Sequence, residues 1–346
     1  MPEVSVVFPV YNTAQYLPQL FDEMLSQTFS DCEFIFVDDG SNDNSAEIIK
    51  EYQKKDERIS YYYQENSGGG TARNLGISKA QGKYVICLDS DDIYEKNLIE
   101  DMYNQAVKTD ADITLSKFSR LDTDTGRIVR GKGINDKDLP NKEVFSSKDV
   151  RDILQITNPA PNNKLYKLSF IKDNNLKYSG TRIINDLKFG MLALVLAKKI
   201  TVVNKDLSTY RYKTAGSGSR SREKYIDNSI TVFEEIYREF IERGLFEEYK
   251  NTYFSRIFDT INFELSFPVS DEVIEKIKEF LNKPPFSFEN KDELKKFFNI
   301  NKMQKHVVEY LLLNIVTLGM NNSLREKYSS SLLRVKNLRK LGFIDN

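Results

Sequence analysis

Histidine and cysteine are scarce in this sequence. His306 is the one histidine, and Cys32 and Cys87 are the only cysteines. Two thiols cannot build a disulfide framework, and with a lone histidine no Cys/His zinc cluster can be assembled. Such cysteine usage fits a reducing compartment, so a cytoplasmic location is expected. Long apolar runs are missing too. No stretch of about 18 apolar residues occurs, which excludes an expected membrane span. Met1-Pro2-Glu3 has no basic region and the apolar run at 4–10 is short, so no secretion signal is expected. Nor is there an excess of either charge: 50 Lys and Arg oppose 51 Asp and Glu. That balance supplies no global basic field, and a nucleic-acid partner is not expected.

What is present is a globular composition, 40% hydrophobic and 29% charged over 346 residues. This length suits one large domain with a smaller one. Runs rich in β-branched and aromatic residues at 4–10, 33–37, 58–64 and 83–88 read as strands. Between them, 16–27, 45–55 and 71–80 have helical character. The alternation predicts an α/β fold, Rossmann-like, with a mainly parallel sheet flanked by helices. Further on, 111–118 reads as a strand, 122–143 as a loop or hairpin, 146–157 and 187–197 as helices, and 199–203 and 208–212 as short strands. Composition breaks at Thr214-Ala215-Gly216-Ser217-Gly218-Ser219. Beyond it, amphipathic helical patterns occupy 224–243, 245–267, 270–282, 291–298 and 302–318. The expected division is therefore 1–219 and an all-helical 220–346.

In an open parallel sheet, ligands bind beyond the carboxyl ends of the strands. Four polar clusters fall at such ends: Pro9-Tyr11-Asn12, Asp38-Asp39, Asn66 to Arg73, and Asp89-Ser90-Asp91-Asp92. Topology should bring them to one edge. Three carboxylates within four residues repel one another and become favourable around a hard cation such as Mg²⁺ or Mn²⁺. The plain alternative is a turn with helix-capping aspartates. Asp38-Asp39 is either a turn or an acceptor for a ring N–H of a pyrimidine base. Gly68-Gly69-Gly70 before a helix lets backbone approach an anion, and Arg73 could pair with phosphate or ribose. The loop is neither a P-loop nor a dinucleotide-binding Gly-x-Gly-x-x-Gly placed after the first strand.

Taken together, Val4 to Asn12, Val37-Asp38-Asp39-Gly40-Ser41, Gly69-Gly70-Thr71-Ala72-Arg73-Asn74 and Leu88-Asp89-Ser90-Asp91-Asp92 resemble the inverting family 2 glycosyltransferases of bacterial type, which have the GT-A fold. The likeness is strong over 1–115 and looser over 155–215. It implies a UDP-sugar donor and a divalent metal, Mn²⁺ or Mg²⁺. Pro9, Tyr11 and Asp39 would line the base pocket, with Asn66 and Gly69 in the donor-binding loop and Arg73 beside base and ribose. Asp89, Asp91 and Asp92 match the family's Asp-x-Asp signature; of Asp91 and Asp92, one would contact ribose and one the metal.

The resemblance also implies a catalytic base in the second residue of an acidic pair, here Asn185-Asp186, with Asn163-Lys164-Leu165-Tyr166 as its lead-in. Asp186 is the assigned base, and Asn185 stands where the family usually has Glu. Alternatively, Asp186 simply favours a helix N-terminus. His306 reads as structural. Arg211 or Ser217 is placed to reach the diphosphate. The expected reaction moves a hexose or N-acetylhexosamine from a UDP-sugar to a hydroxyl of a glycan or glycoprotein. A non-catalytic assembly protein of the same fold is the alternative. The helices beyond 220 are an acceptor platform or a self-association surface, and the basic, leucine-containing 324–340 suits peripheral membrane contact.

Overall fold

The computed structural model describes residues 1–212, 226–265, 269–283, 285, 333, 337 and 340. It divides into two compact units, Met1–Arg220 with Glu234–Ile236, and Ser221–Phe233 with Tyr237–Asn346.

The first unit begins as the sequence alternation predicts: β1 (Val4–Val10), α1 (Leu17–Leu25), β2 (Cys32–Asp38), α2 (Ser45–Gln53), β3 (Ile59–Tyr63), α3 (Gly69–Lys79) and β4 (Tyr84–Cys87). β1 and β2 are buried along nearly their whole length, as suits strands covered on both faces. α1 has Pro18 in its first turn and buries Leu17, Leu20, Phe21 and Met24, the i, i+3, i+4, i+7 stripe. Phe21 stacks on Tyr52 at 3.9 Å and meets Phe36 tilted at 4.8 Å, and Phe8 stacks on Phe36 at 4.8 Å. α3 packs differently, through small residues. A Cβ at Gly76 would lie 2.3 Å from Val7 Cγ1, so the helix sits closer to β1 than any side chain permits.

The remaining elements of the unit are β5 (Ile93–Tyr94), α4 (Leu98–Thr109), β6 (Ile113–Asp122), β7 (Ile128–Lys132), α5 (Ile153–Ile156), β8 (Lys164–Lys167), α6 (Leu168–Asp173), α7 (Asn185–Leu196) and β9 (Ile200–Tyr212). The sheet runs β3-β2-β1-β4-β8-β6-β9-β5, with β7 on β6. Its β3-β2-β1-β4 half is parallel throughout. Past β4 it is mixed, because β8 runs antiparallel to both β4 and β6 while β6 and β9 are parallel. The expected α/β class with flanking helices therefore holds, and the parallel half carries the strand ends of interest.

Two local expectations are corrected. Residues 146–157 are not one helix. Ser146 and Asp149 close a capping box around a single 3₁₀ turn, Val150 is extended, and Asp152 caps the short α5 by accepting from the Leu154 N–H at 3.0 Å. Two strong caps restart the chain instead of continuing it. Residues 199–203 and 208–212 are one strand, β9, and the polar Lys205-Asp206 between them sits where its register against β6 shifts. The 122–143 stretch is a β6–β7 hairpin followed by a 3₁₀ turn at Asp136–Asp138.

In the second unit, α8 (Ile226–Glu242), α9 (Phe246–Glu264) and α10 (Asp271–Leu281) occupy three of the expected helical segments. The Tyr253 hydroxyl donates to the Phe233 carbonyl at 3.1 Å inside an aromatic cluster with Phe240 and Phe246. The expected helices at 291–298 and 302–318, the Gly216–Ser219 loop, His306 and nearly all of 324–340 lie outside the described residues. Among the described residues no helix is long and apolar enough to cross a membrane.

Gly76→Ala should cost about 1–3 kcal/mol by overpacking against Val7. Val7→Ala in the same chain should recover part of the loss, and urea unfolding of the four proteins of this cycle measures both effects.

Candidate active site

The carboxyl ends of β1, β2 and β4 and the start of α3 enclose a cleft of about 200 Å³, lined by Pro9, Val10, Tyr11, Thr13, Asp39, Gly69, Asp89, Ser90 and Asp91. Six of the nine residues named from the sequence as donor or metal sites lie on it. Tyr11 is 47% exposed at its rim. Asn66 is exposed on the β3–α3 loop and outside the lining, beside Gly40, whose φ of 74° turns the chain toward it. Ser90 ties two strand ends together: its hydroxyl donates to the Pro9 carbonyl at 3.1 Å and lies 3.0 Å from the Thr13 hydroxyl.

Asp39 is 3% exposed and fully engaged. One oxygen accepts from Gln64 Nε2 and the Ser67 N–H, both at 2.7 Å, and the other from the Gly68 N–H at 2.9 Å. The carboxylate thus shapes the glycine loop that starts α3, where Gly68 needs its φ of 91°. Asp38 instead braces the sheet edge, accepting from the Tyr61 hydroxyl at 2.9 Å and the Ser41 N–H at 2.9 Å.

Arg73 is the cation of the site. It is 8% exposed, with Nη2 donating to Asp89 Oδ1 at 2.5 Å and Nη1 donating to Asn185 Oδ1 at 3.1 Å. Its guanidinium lies over the Tyr178 ring at 5.5 Å. Burial works against its charge, but Asp89, with smaller help from Tyr178, Cys87 and Asp186, outweighs that and holds it firmly protonated. The Asp89 carbonyl accepts from the Tyr94 hydroxyl at 2.7 Å.

Asp92 is 2% exposed and is not among the residues lining the cleft. Its Oδ1 accepts from the Arg211 N–H at 2.9 Å, and Asn162 Nδ2 stands 3.5 Å from Oδ2. Burial, then the charges of Asp89 and Asp91, push its carboxyl well above the usual range. Asn162 Oδ1 is buried without a partner. Arg211 is engaged with protein groups at the edge of the cleft. Its Nη1 donates to the Asp91 carbonyl at 2.6 Å, its Nη2 to Gln19 Oε1 at 2.7 Å, and it lies over Tyr16 at 5.0 Å.

Asp186 stands half-buried in the first turn of α7, beside the Asn185 that accepts from Arg73. The residue before the helix, Ile184, has φ 46°. A β-branched residue there is strained, and the strain is held by neighbours. The Ser179 N–H donates to the Asn185 carbonyl at 3.0 Å, and the Thr181 hydroxyl donates to the Ile183 carbonyl at 3.0 Å. Below Asp186 lies Lys164, 0% exposed, whose ammonium donates to the Ala160 carbonyl at 2.6 Å and to Asn163 Oδ1 at 2.7 Å. Burial lowers it to about 7, against the opposing pull of Asp186. Its role at the site was not evident beforehand. The signal was three polar residues, Asn162-Asn163-Lys164, directly before the apolar Leu165-Tyr166.

Asp89 and Asp91 line the cleft, and the charge of both raises the carboxyl of Asp92. An all-oxygen set with excess negative charge suits Mg²⁺ or Mn²⁺. Among the described residues no three His, Cys, Asp or Glu side chains gather closely enough to hold a metal alone. A divalent cation here would be held by one or two carboxylates, with the rest of its shell from substrate phosphate and water.

The Glycosyl transferase family 2 profile matches residues 5–174. Glycosyltransferase GlyG of Streptococcus pneumoniae serotype 4 is 35% identical over 229 residues, covering 64% of this chain and 74% of GlyG. Glycosyltransferase GlyA of the same organism is 30% identical over 67% of this chain, which spans only 34% of GlyA's length. The crystal structure of S. aureus TarS 1-349 in complex with UDP-GlcNAc superposes with a TM-score of 0.66 at 21% identity, over 99% of this chain and 92% of that one. The chain belongs to glycosyl transferase family 2. It is a glycosyltransferase with the GT-A fold.

Asp92→Asn should raise thermal stability in metal-free buffer. A carboxyl whose folded pKa is raised costs stability as pH climbs above its unfolded value near 4, so the gain should be small at pH 5 and larger at pH 7. Asn162 can turn its unpartnered oxygen toward the new amide. Melting curves at both pH values measure the effect, at about 2–4 °C for each kcal/mol.

Proposed function

We propose that this enzyme is an inverting, metal-dependent hexosyltransferase acting on a UDP-sugar. The observation that carries the reading is the convergence of Asp39, the Arg73–Asp89 pair and Asp91 on one cleft at the parallel strand ends. Pro9, Tyr11 and Asp39 border the space assigned to the uracil, and Gly69 admits backbone to the ligand. Arg73 supports the ribose side through Asp89. Asp91, with Asp89 beside it, would hold Mn²⁺ or Mg²⁺, and the ion would offset charge growing on the leaving diphosphate. TarS, whose fold this chain shares, is seen with UDP-GlcNAc, and the mannosyltransferase PcManGT of Pyrobaculum calidifontis, at a TM-score of 0.51, with GDP-Man and Mn²⁺.

In this reading an acceptor hydroxyl attacks the anomeric carbon as the bond to the diphosphate oxygen breaks. Asp186 takes the hydroxyl proton, and UDP departs with the electron pair. Asp186 stands half-buried in the first turn of α7, next to the Asn185 that accepts from Arg73. The acceptor class is a glycan or glycoprotein hydroxyl, and the sugar a hexose or N-acetylhexosamine. Residues 1–219 form the catalytic domain and 220–346 the acceptor side or a self-association surface. The enzyme acts in the cytoplasm, with peripheral membrane contact through its C-terminal residues.

Asp186→Asn should lower transfer by about 10²–10⁴-fold and leave UDP-sugar binding within twofold. Near-normal turnover by the variant would remove Asp186 as the base. UDP release from a panel of UDP-sugars with Mn²⁺ should identify one preferred donor. In the same assay Asp91→Ala should lose the gain in UDP affinity that Mn²⁺ gives the parent; equal gains would sink the metal assignment.

A further inference from the structure

Arg73 touches two acceptors of different charge, and the difference has a function. One is Asp89 Oδ1 at 2.5 Å, the other the amide oxygen of Asn185 at 3.1 Å. The site is crowded with carboxylates. Asp89 and Asp91 line the cleft, Asp92 is buried behind them, and Asp186 follows Asn185 in the chain. Arg73 is the buried cation in direct contact with this group. Lys164, the other buried cation nearby, spends two of its hydrogen bonds on Ala160 and Asn163.

Asn185 is held in place by more than Arg73. It is 9% exposed, its Nδ2 donates to the Arg182 carbonyl at 3.4 Å, and its backbone carbonyl accepts from the Ser179 N–H. α3 comes so near that a Cβ on Gly70 would lie 2.8 Å from Asn185 Cβ and 2.1 Å from the Ser179 carbonyl oxygen. These contacts hold position 185 against Arg73, so the side chain that stands there meets the guanidinium.

We propose that Asn185 is a positioning residue whose neutral amide orients Arg73 without claiming its charge, so that the guanidinium neutralises Asp89 at the donor cleft and the start of α7, with Asp186, is tied to that cleft. An amide oxygen satisfies Nη1 and adds no charge. A carboxylate in its place would divide Arg73 between two anions and leave the cleft one charge more negative. A nucleoside diphosphate, itself anionic, would meet that charge on entry. The inference rests on the cleft being the UDP site.

Asn185→Asp tests it, since Asp and Asn have the same shape and differ in charge. UDP is titrated calorimetrically without metal and with Mn²⁺. The expected result is roughly tenfold weaker UDP binding without metal, the size of one added charge about 10 Å away at an effective dielectric near 20. The deficit should shrink in high salt and with Mn²⁺. Equal UDP affinity in parent and variant would overturn the proposal. If Asn185→Asp does not fold, Asn185→Glu and Asn185→Gln form a second matched pair. The proposal expects the Glu variant alone to weaken binding, and equal weakening in both would show a packing role and overturn it. A parent that binds no UDP under any condition would remove the UDP reading itself. The Asn185 contact is then judged by ¹⁵N side-chain NMR: slowed guanidinium rotation of Arg73 in the parent, lost in Asn185→Ala, supports it, and its absence in the parent overturns it.

Discussion

Everything at this site depends on one buried cation. Arg73 sits where desolvation opposes its charge, and it stays charged because Asp89 meets it at 2.5 Å. A buried pair of this kind adds little to net stability, since the cost of removing both ions from water roughly offsets their attraction. Its value is positional. Asp89 belongs to the loop after β4, Arg73 to α3 and Asn185 to α7. A single side chain thus joins the parallel half of the sheet to the helix that starts with the assigned base.

The aspartates share this site unequally. Asp39 organises backbone, accepting two N–H groups and an amide where the glycine loop begins α3. Asp89 is neutralised by Arg73. Asp91 faces the cleft, while Asp92 is buried on the Arg211 N–H and feels the other two as repulsion. Of two residues adjacent in sequence, one thus lines the cleft and the other is a buried internal brace. Arg211 completes the brace from β9, tying that strand to the Asp91 carbonyl and, through Gln19, to α1.

Much of this was legible in the sequence because it rests on periodicity. β1 to β4 and the helices between them follow from runs of β-branched residues and helical stripes, and a parallel order forces their polar ends together. What stayed hidden depends on contacts between distant residues. β5 has two residues and β8 four, too short for a pattern to register. α5 is four residues set by the Asp152 cap, which a helical stripe over 146–157 conceals. The inward turn of Asp92 could not be told from Asp91, since only the approach of Arg211, 119 residues later, distinguishes them. Lys164 stood in the sequence only as part of the lead-in to the Asn185-Asp186 region, and its complete burial is visible only in the fold.

Gly70 has a consequence beyond packing. With no room for even a methyl group between it and the Ser179 carbonyl, α3 and the segment leading into α7 behave as one piece. Any change that shifts the entrance to α7 is felt at Arg73 and hence at Asp89. The β6–β7 hairpin and the capped turns of 133–157 contribute no residue to the lining of the cleft and lie outside this coupling. The molecule separates a fixed half from a half free to vary, and the boundary between them is drawn at a residue without a side chain.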